Sequence, residues 1–263
     1  MNISAVIHNT QQIDFINQIK PKNPINIHLK INTGMNRLGF PPSKVKSLIQ
    51  SLETSPYIGN IILMTHFANA DEAIGVRDQL ALFNKVVDDS FDRSVANSAA
   101  IIRYPETHME WVRPGIMLYG ASPFEDQSSK DIGLQPVMSL HSNIIAVQNL
   151  DKGQSVGYGS TFVATNKTRV GIVACGYADG YPRHAPSGTP IMVAGKISRT
   201  LGRVSMDMLY VDLTDIPSAD IHSEVELWGA NISVDEVAKE AKTVGYELLC
   251  AISSSIRVPM EYA

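Results

Sequence analysis

The chain has 263 residues, 44% of them hydrophobic and 18% charged. That length suits one large domain or two ordinary ones, and the composition supports a packed core rather than disorder. The 22 basic and 26 acidic residues give a net charge of −4, which excludes the basic excess expected of a nucleic-acid or membrane-surface binder. Cys175 and Cys250 are the only cysteines, so a disulfide scaffold is excluded and a cytoplasmic, reducing compartment is expected. No signal peptide is visible at the start, and apolar runs such as residues 61–64 are too short for a membrane span.

Up to about residue 120, short apolar runs alternate with helical patterns. Residues 5–7 are strand-like. A helix follows with Thr10 as candidate N-cap and Ile13, Ile16 and Ile19 on one face. Residues 25–31 predict a strand, and Ser43 opens a helix with Val45, Leu48, Ile49 and Leu52 as its stripe. Residues 61–65 predict a buried strand, and 76–89 a helix with Leu80, Phe83 and Val87 inward. Residues 93–96 and 116–119 are further short strand candidates. This alternation indicates parallel β/α units, either a barrel or a doubly wound sheet, and no glycine fingerprint supports a dinucleotide site.

After residue 120 the texture changes. Residues 122–134 read as a linker. Strand-like runs follow at 137–147, 169–174, 190–197, 203–213 and 224–228, punctuated by Gly, Pro, Asp and Asn. One helix carries a capping box, Ser233 with Glu236, and Gly245 as its expected stop. The expected fold is therefore α/β, a partial (β/α) barrel of the TIM type over 1–125 followed by a mostly antiparallel β domain over 134–263. A complete barrel needs ~250 residues, so the first domain holds only four or five of its units.

Four clusters carry chemistry, and none is a metal signature. In LKINTGMNRLGF a strand ends in a glycine-flanked loop bearing Arg37, placed to fork onto a carboxylate or phosphate or simply to sit in a surface turn. In MTHFANAD, His66 follows a strand end, as a catalytic or a structural histidine. In ANSAA and VRPGI, small residues with free N–H groups end two successive strands, which suits a phosphate cradle or ordinary β/α turns. In GYADGYPR, Tyr177 follows a strand beside glycine, as a turn residue or as a base. A tyrosine titrates near ~10 and needs help from its surroundings to act as a base.

Together with VGYGSTF, VRPGIMLYG, GRVSMDM and RVP, these motifs resemble the alanine racemases, in the family's order and over nearly the whole chain. The resemblance implies a pyridoxal-phosphate enzyme that interconverts L- and D-alanine for D-alanine biosynthesis and the cell wall. It implies a head-to-tail homodimer, in which Tyr177 of one subunit is one of two bases in the other's site. His66 matches the histidine supporting the cofactor ring and that tyrosine, and Arg113 the arginine facing the pyridine nitrogen. Ser98, Gly115 and Ile116 match phosphate contacts, with Asn97 beside them. Arg37 matches the arginine near the cofactor phenolic oxygen and substrate carboxylate, and Met206 the residue whose backbone meets that carboxylate. Lys30 matches a lysine often carbamylated in the family, where it holds the arginine.

Two departures shape the expectation. The family's Schiff-base lysine lies in a motif close to AVVKANAYGHG, and no lysine here has that context. Residue 1 matches the family near its fourth strand, so about three β/α units, or ~90 residues, are expected to be missing, along with a phosphate-binding tyrosine. Near the C-terminus Ile256 stands where some members have a tyrosine, and Tyr262 is left as its candidate substitute. The expected function is thus an alanine racemase incomplete in this chain alone, with a separate N-terminal segment as one partner. The alternatives are a catalytically dead fragment that binds cofactor or pairs with a full-length subunit, and a racemase for another small amino acid.

Overall fold

The computed structural model describes residues 3–252. Ile256, Tyr262 and the RVP motif lie outside the described residues. The chain divides into two compact units, one ending at Gly115 and the other beginning at Ile116.

The first unit alternates strand and helix: β1 (Ala5–Ile7), α1 (Thr10–Ile19), β2 (Ile25–Lys30), α2 (Val45–Glu53), β3 (Ile58–Met64), α3 (Arg77–Val86), β4 (Arg93–Ser94) and α4 (Ser98–Arg103). Its strands form one parallel sheet in the order β1-β2-β3-β4, in register through Val6↔His28, His28↔Ile62 and Met64↔Ser94. Such an order follows when each helix returns the chain to the neighbouring stave. Beyond β4, Trp111 bridges Ser94 in parallel and Arg113 N–H donates to the Ala96 carbonyl at 3.0 Å, so residues 111–113 run alongside as a short fifth stave. Ile27, Leu29, Leu63 and Phe83 are fully buried.

Helix starts differ from the sequence reading in two places. Asn9, not Thr10, caps α1: its side chain accepts from Gln12 N–H while the Gln12 side chain returns to Asn9 N–H, a reciprocal pair that Thr10 could not form from inside the helix. Before α2 a single 3-10 turn (Pro42–Lys44) forms, with proline at its start, so Ser43 lies in that turn. In α3 the inward residues are Gln79 and Phe83, with Leu80 and Val87 only half-buried.

The second unit opens with a 3-10 turn, Ile116–Tyr119, where a strand was expected. The Pro114–Gly115 pair ahead of it breaks extension. Residues 122–134 are no free linker. Ser122, Phe124 and Ser129 are buried, and Ser122 N–H donates to both carboxylate oxygens of Asp235 at 3.2 and 3.0 Å. The segment's ends meet at Gly120. Its φ is +76°, and a Cβ there would collide with the Gln135 carbonyl; Val137 N–H also donates to the Tyr119 carbonyl at 3.3 Å.

Eight strands follow: β5 (Leu140–Leu150), β6 (Ser155–Val156), β7 (Phe162–Val163), β8 (Thr168–Val173), β9 (Pro190–Val193), β10 (Lys196–Leu201), β11 (Leu209–Asp212) and β12 (Glu224–Trp228). Six of them close an antiparallel barrel in the order β10-β11-β8-β5-β12-β9, while β6 and β7 pair as a separate hairpin. Closure leaves these six without an open edge. The core includes Ile144, Val173, Val193, Val211, Leu227 and Trp228. The run at 190–197 is broken by a tight turn at Ala194 and Gly195, both with positive φ, and becomes two strands. The Ser233–Glu236 capping box opens α5 (Val234–Glu240), but Gly245 starts a further helix, α6 (Gly245–Ala251), instead of ending one. Among the described residues no helix is long and apolar enough to cross a membrane.

Candidate active site

In the first unit three strand ends converge. After β2 the loop 32–39 is closed at its base, where Asn32 N–H donates to the Phe40 carbonyl at 2.9 Å and Phe40 N–H to the Lys30 carbonyl at 2.8 Å. Gly39 allows this closure, since at φ +121° a Cβ would lie 2.8 Å from Asn32 N. The Asn32 side chain accepts from Gly34 N–H and Asn36 N–H, which shapes the tip that carries the exposed Arg37. Lys30 ends β2 and is buried. Burial, followed by the charges of Arg37 and Arg113, holds its amine below the usual lysine range.

After β3 come Thr65, buried, and His66, half-buried. The His66 imidazole is pushed down to about 4, first by burial and then by Arg113, Lys30 and Arg37, so it is neutral at pH 7. After β4, Asn97 caps α4 by accepting from Ala100 N–H at 3.0 Å, and its amide reaches the Phe67 carbonyl at 3.4 Å. Ser98 is buried and its Oγ accepts from Gly115 N–H at 2.7 Å. Ile116 follows directly, with its side chain in the second unit's core.

Arg113 ties these ends together. Its Nη1 donates to the Ser94 carbonyl (2.6 Å) and Ser94 Oγ (2.7 Å), and its Nη2 to the carbonyls of Thr65 (2.7 Å) and Val95 (3.3 Å). Burial lowers the guanidinium to about 10, which leaves it cationic at neutral pH. Every charge found to act on Lys30 and His66 is positive. Such a cluster favours an anionic guest.

In the second unit Tyr177 stands on a 3-10 turn, Tyr177–Asp179, just past β8. The buried Asp179 carboxylate accepts from Gly176 N–H at 2.9 Å. Tyr177 N–H donates to the Ser205 carbonyl at 3.1 Å and Ala178 N–H to the Met206 carbonyl at 2.8 Å, so the Tyr177 and Met206 loops are stitched together. Tyr177 is 39% exposed and Met206 59%. The Cys175 thiol beneath them is pushed up to about 12 by burial and then by Asp179, which leaves it inert.

The structure thus gathers Lys30, Arg37, His66, Asn97, Ser98, Arg113 and Gly115 at the strand ends of the first unit, and Tyr177 with Met206 in the second. Sequence reasoning missed Gln79, Thr33 and Thr65. Gln79 hid as one polar residue on the inward face of a helix, and the two threonines as members of the LKINTGMNRLGF and MTHFANAD motifs with no chemistry assigned to them. Among the described residues no three His, Cys, Asp or Glu side chains are placed to hold a metal ion.

A parallel β/α unit with cations at its strand ends, joined in sequence to an antiparallel β barrel, makes this a two-part α/β protein with an anion-binding character in its first part. Residues 1–123 match the family model described as alanine racemase, N-terminal domain, and residues 137–262 that of the C-terminal domain. The alanine racemase of Thiobacillus denitrificans is 50% identical over 262 residues, covering 99% of this chain and 71% of the relative. The solved biosynthetic alanine racemase of Pseudomonas aeruginosa is 46% identical, with a TM-score of 0.92 over 95% of this chain and 71% of that one. That of Acinetobacter baumannii is 40% identical, with a TM-score of 0.90 over 97% of this chain and 72% of that one. The chain belongs to the alanine racemase family, whose members are pyridoxal-phosphate enzymes.

Proposed function

We propose that the chain interconverts L- and D-alanine in the cytoplasm, with pyridoxal phosphate held by the first domain (1–125) as part of a (β/α) barrel wall and with a second copy of the chain completing each site. The β domain (134–263) supplies Tyr177 to the partner's site. The observation that carries this reading is the strand-end cluster, in which the charges of the clamped Arg113 and of Arg37 act on the buried Lys30 amine.

The residues fit an anionic, phosphate-bearing cofactor. A Cβ built on Gly115 would find only Ser98 Oγ within 4 Å, at 3.6 Å, so the backbone there is open to a phosphate beside a hydroxyl. Ser98 and the N–H groups of Gly115 and Ile116 would hold that phosphate, with Asn97 alongside. Arg113, fixed by four bonds, would face the pyridine nitrogen and disfavour its protonation. Neutral His66 would support the ring and the Tyr177 hydroxyl. Arg37 and the Met206 backbone would orient the substrate carboxylate. Lys30, with its amine held below the usual range, presents more of the neutral form that reacts with carbon dioxide, which fits carbamylation. When bound, pyridoxal phosphate supplies the electron sink that makes the α-proton removable.

Racemisation takes a proton from one face and returns one on the other, so it needs two bases. Tyr177 Oη serves one face. The second base in the family is a lysine whose motif these 263 residues do not contain. The test is chiral separation of alanine after incubation with the chain and pyridoxal phosphate, with and without a supplied N-terminal β/α segment. Turnover in either arm that Tyr177→Phe suppresses, while exchange of the α-proton with solvent survives for one enantiomer more than for the other, supports the reading. Absence of turnover in both arms counts against it. Identity of 50% over 99% of the chain favours alanine over another small amino acid and catalysis over an inactive remnant.

A further inference from the structure

We propose that Gln79 is a positioning residue of this site, fixing His66 and its loop against the end of β2 through a hydrogen-bond chain of defined direction. The inference rests on the racemase reading for its functional meaning, but its geometry is independent of it.

Gln79 is 9% exposed on the inward face of α3, one turn before Phe83. A buried amide costs stability unless its donors and acceptor are used. Here they are. Oε1 accepts from Ala68 N–H at 2.7 Å, and Nε2 donates to the His66 carbonyl at 3.2 Å and to Thr33 Oγ1 at 3.3 Å. The amide's orientation is forced, because a flipped side chain would set its NH2 against the Ala68 N–H and its oxygen against the His66 carbonyl.

The chain continues in one direction only. Thr65 Oγ1 spends its single proton on the Ile31 carbonyl at 2.9 Å. It must therefore accept in its 2.7 Å contact with Thr33 Oγ1, which makes Thr33 the donor there. Thr33 in turn accepts from Gln79. The sequence Gln79 → Thr33 → Thr65 → Ile31 thus joins α3 to the ends of β2 and β3. On the far side of the same loop, the Thr65 carbonyl is held by Arg113 at 2.7 Å. His66 therefore has the carbonyl before it gripped by Arg113 and its own carbonyl gripped by Gln79. Its ring is held where Arg113, Lys30 and Arg37 act on it.

Only a side chain with both a donor and an acceptor serves this purpose. Methionine matches the length without either. The experiment follows the His66 imidazole by NMR titration in the unliganded chain, wild type against Gln79→Met, and measures pyridoxal phosphate affinity by absorbance titration. In the variant the His66 titration moves up by about one unit as the loop relaxes away from burial and cations. Cofactor binding weakens about tenfold. A folded Gln79→Met protein whose His66 titrates as in wild type overturns the proposal, even if its stability falls. Should that variant not fold, Thr33→Val cuts the chain one link later. A smaller upward shift then supports the proposal, and an unchanged titration overturns it. Failure of the wild-type chain to bind pyridoxal phosphate would count against the racemase reading while leaving the His66 comparison intact.

Discussion

In the first unit, Arg113 and Gln79 reach from their own segments to grip carbonyls and N–H groups of the loops that follow β3 and β4. In the second, the loops bearing Tyr177 and Met206 are joined backbone to backbone, and one buried carboxylate, Asp179, seals the turn. The difference lies in what each arrangement can lose. A site held by side chains fails when a side chain is shortened. A site held by backbone contact tolerates side-chain change and fails when the two backbones are forced apart.

The largest expected effect tests the second half of that contrast. Gly176 lies so close to Ser205 and Met206 that any Cβ would strike their backbone atoms. Gly176→Ala should cost about 3 kcal/mol in denaturant unfolding, because neither backbone can retreat without breaking the stitch. A loss below about 0.5 kcal/mol would mean the two loops are less tightly coupled than their geometry indicates.

Next comes the first unit's clamp. Arg113→Met removes four hydrogen bonds and leaves the Val95 and Thr65 carbonyls seeking partners, while the Ser94 carbonyl keeps Thr65 N–H at 3.2 Å. The expected cost is about 2 kcal/mol. Asp179→Asn serves as the counterpart in the second unit and should cost less than Arg113→Met, since the backbone stitch remains; the reverse order would break the comparison.

Acid should act on the first unit through His66. Its folded value of about 4 lies below the ordinary 6.5, so the unfolded chain binds more protons between these values. Stability then rises with pH across that window and is lost as pH falls from 6.5 towards 4. The loss should be about 1 kcal/mol, because the partly solvated ring is screened. His66→Gln should flatten that slope in unfolding measured from pH 4 to 7. An unchanged slope would assign the acid response to other groups. Asp235 in the second unit carries the opposite sign, since burial raises its carboxyl above the usual value. The stability it contributes is present in acid and declines as pH rises through its folded value.

The smallest effect is a gain. Ala194, at φ 48°, precedes Gly195, at φ 75°, in the turn between β9 and β10. That turn prefers Asn-Gly, and Ala194→Asn should add about 0.5 kcal/mol to the second unit, seen as a higher midpoint in thermal unfolding. A lowered midpoint would show that the alanine methyl is needed.

Much of the architecture could be read from residue periodicity. The parallel alternation of strand and helix to residue 94 and the antiparallel character of the later strands both follow from it, and β12 begins and ends where its pattern does, whereas the short helix α4, made of small residues beside a motif, carries no readable stripe. Misreadings arose where one residue has two physical uses. Gly245 looks like a helix stop, yet its lack of a side chain suits a helix start that passes close to Asp235 and Ala121. The apolar, aromatic residues 116–119 look like a strand but coil after Pro114 and Gly115.

The candidate site was legible where motifs mark strand ends, as at Arg37, His66, Ser98, Arg113 and Tyr177. Gln79 was not legible. A lone glutamine among apolar neighbours signals nothing until its partners, eleven and thirteen residues back in the chain, are known in space. The direction of the Thr33–Thr65 bond was equally invisible, because it depends on which proton each hydroxyl has already committed.

The pinch at Gly120 has a consequence for how this protein can change. Because the chain meets itself at Gly120 and Gln135, residues between them form a closed excursion whose length is decoupled from the barrel that follows. Its tip at Glu125 and Asp126 is exposed, while Ser122 and Ser129 anchor its flanks. Evolution can lengthen or trim that tip without shifting the register of β5. An engineer seeking a place for an epitope or a fluorescent label would find it there, provided that glycine and the Asp235 anchor are left alone.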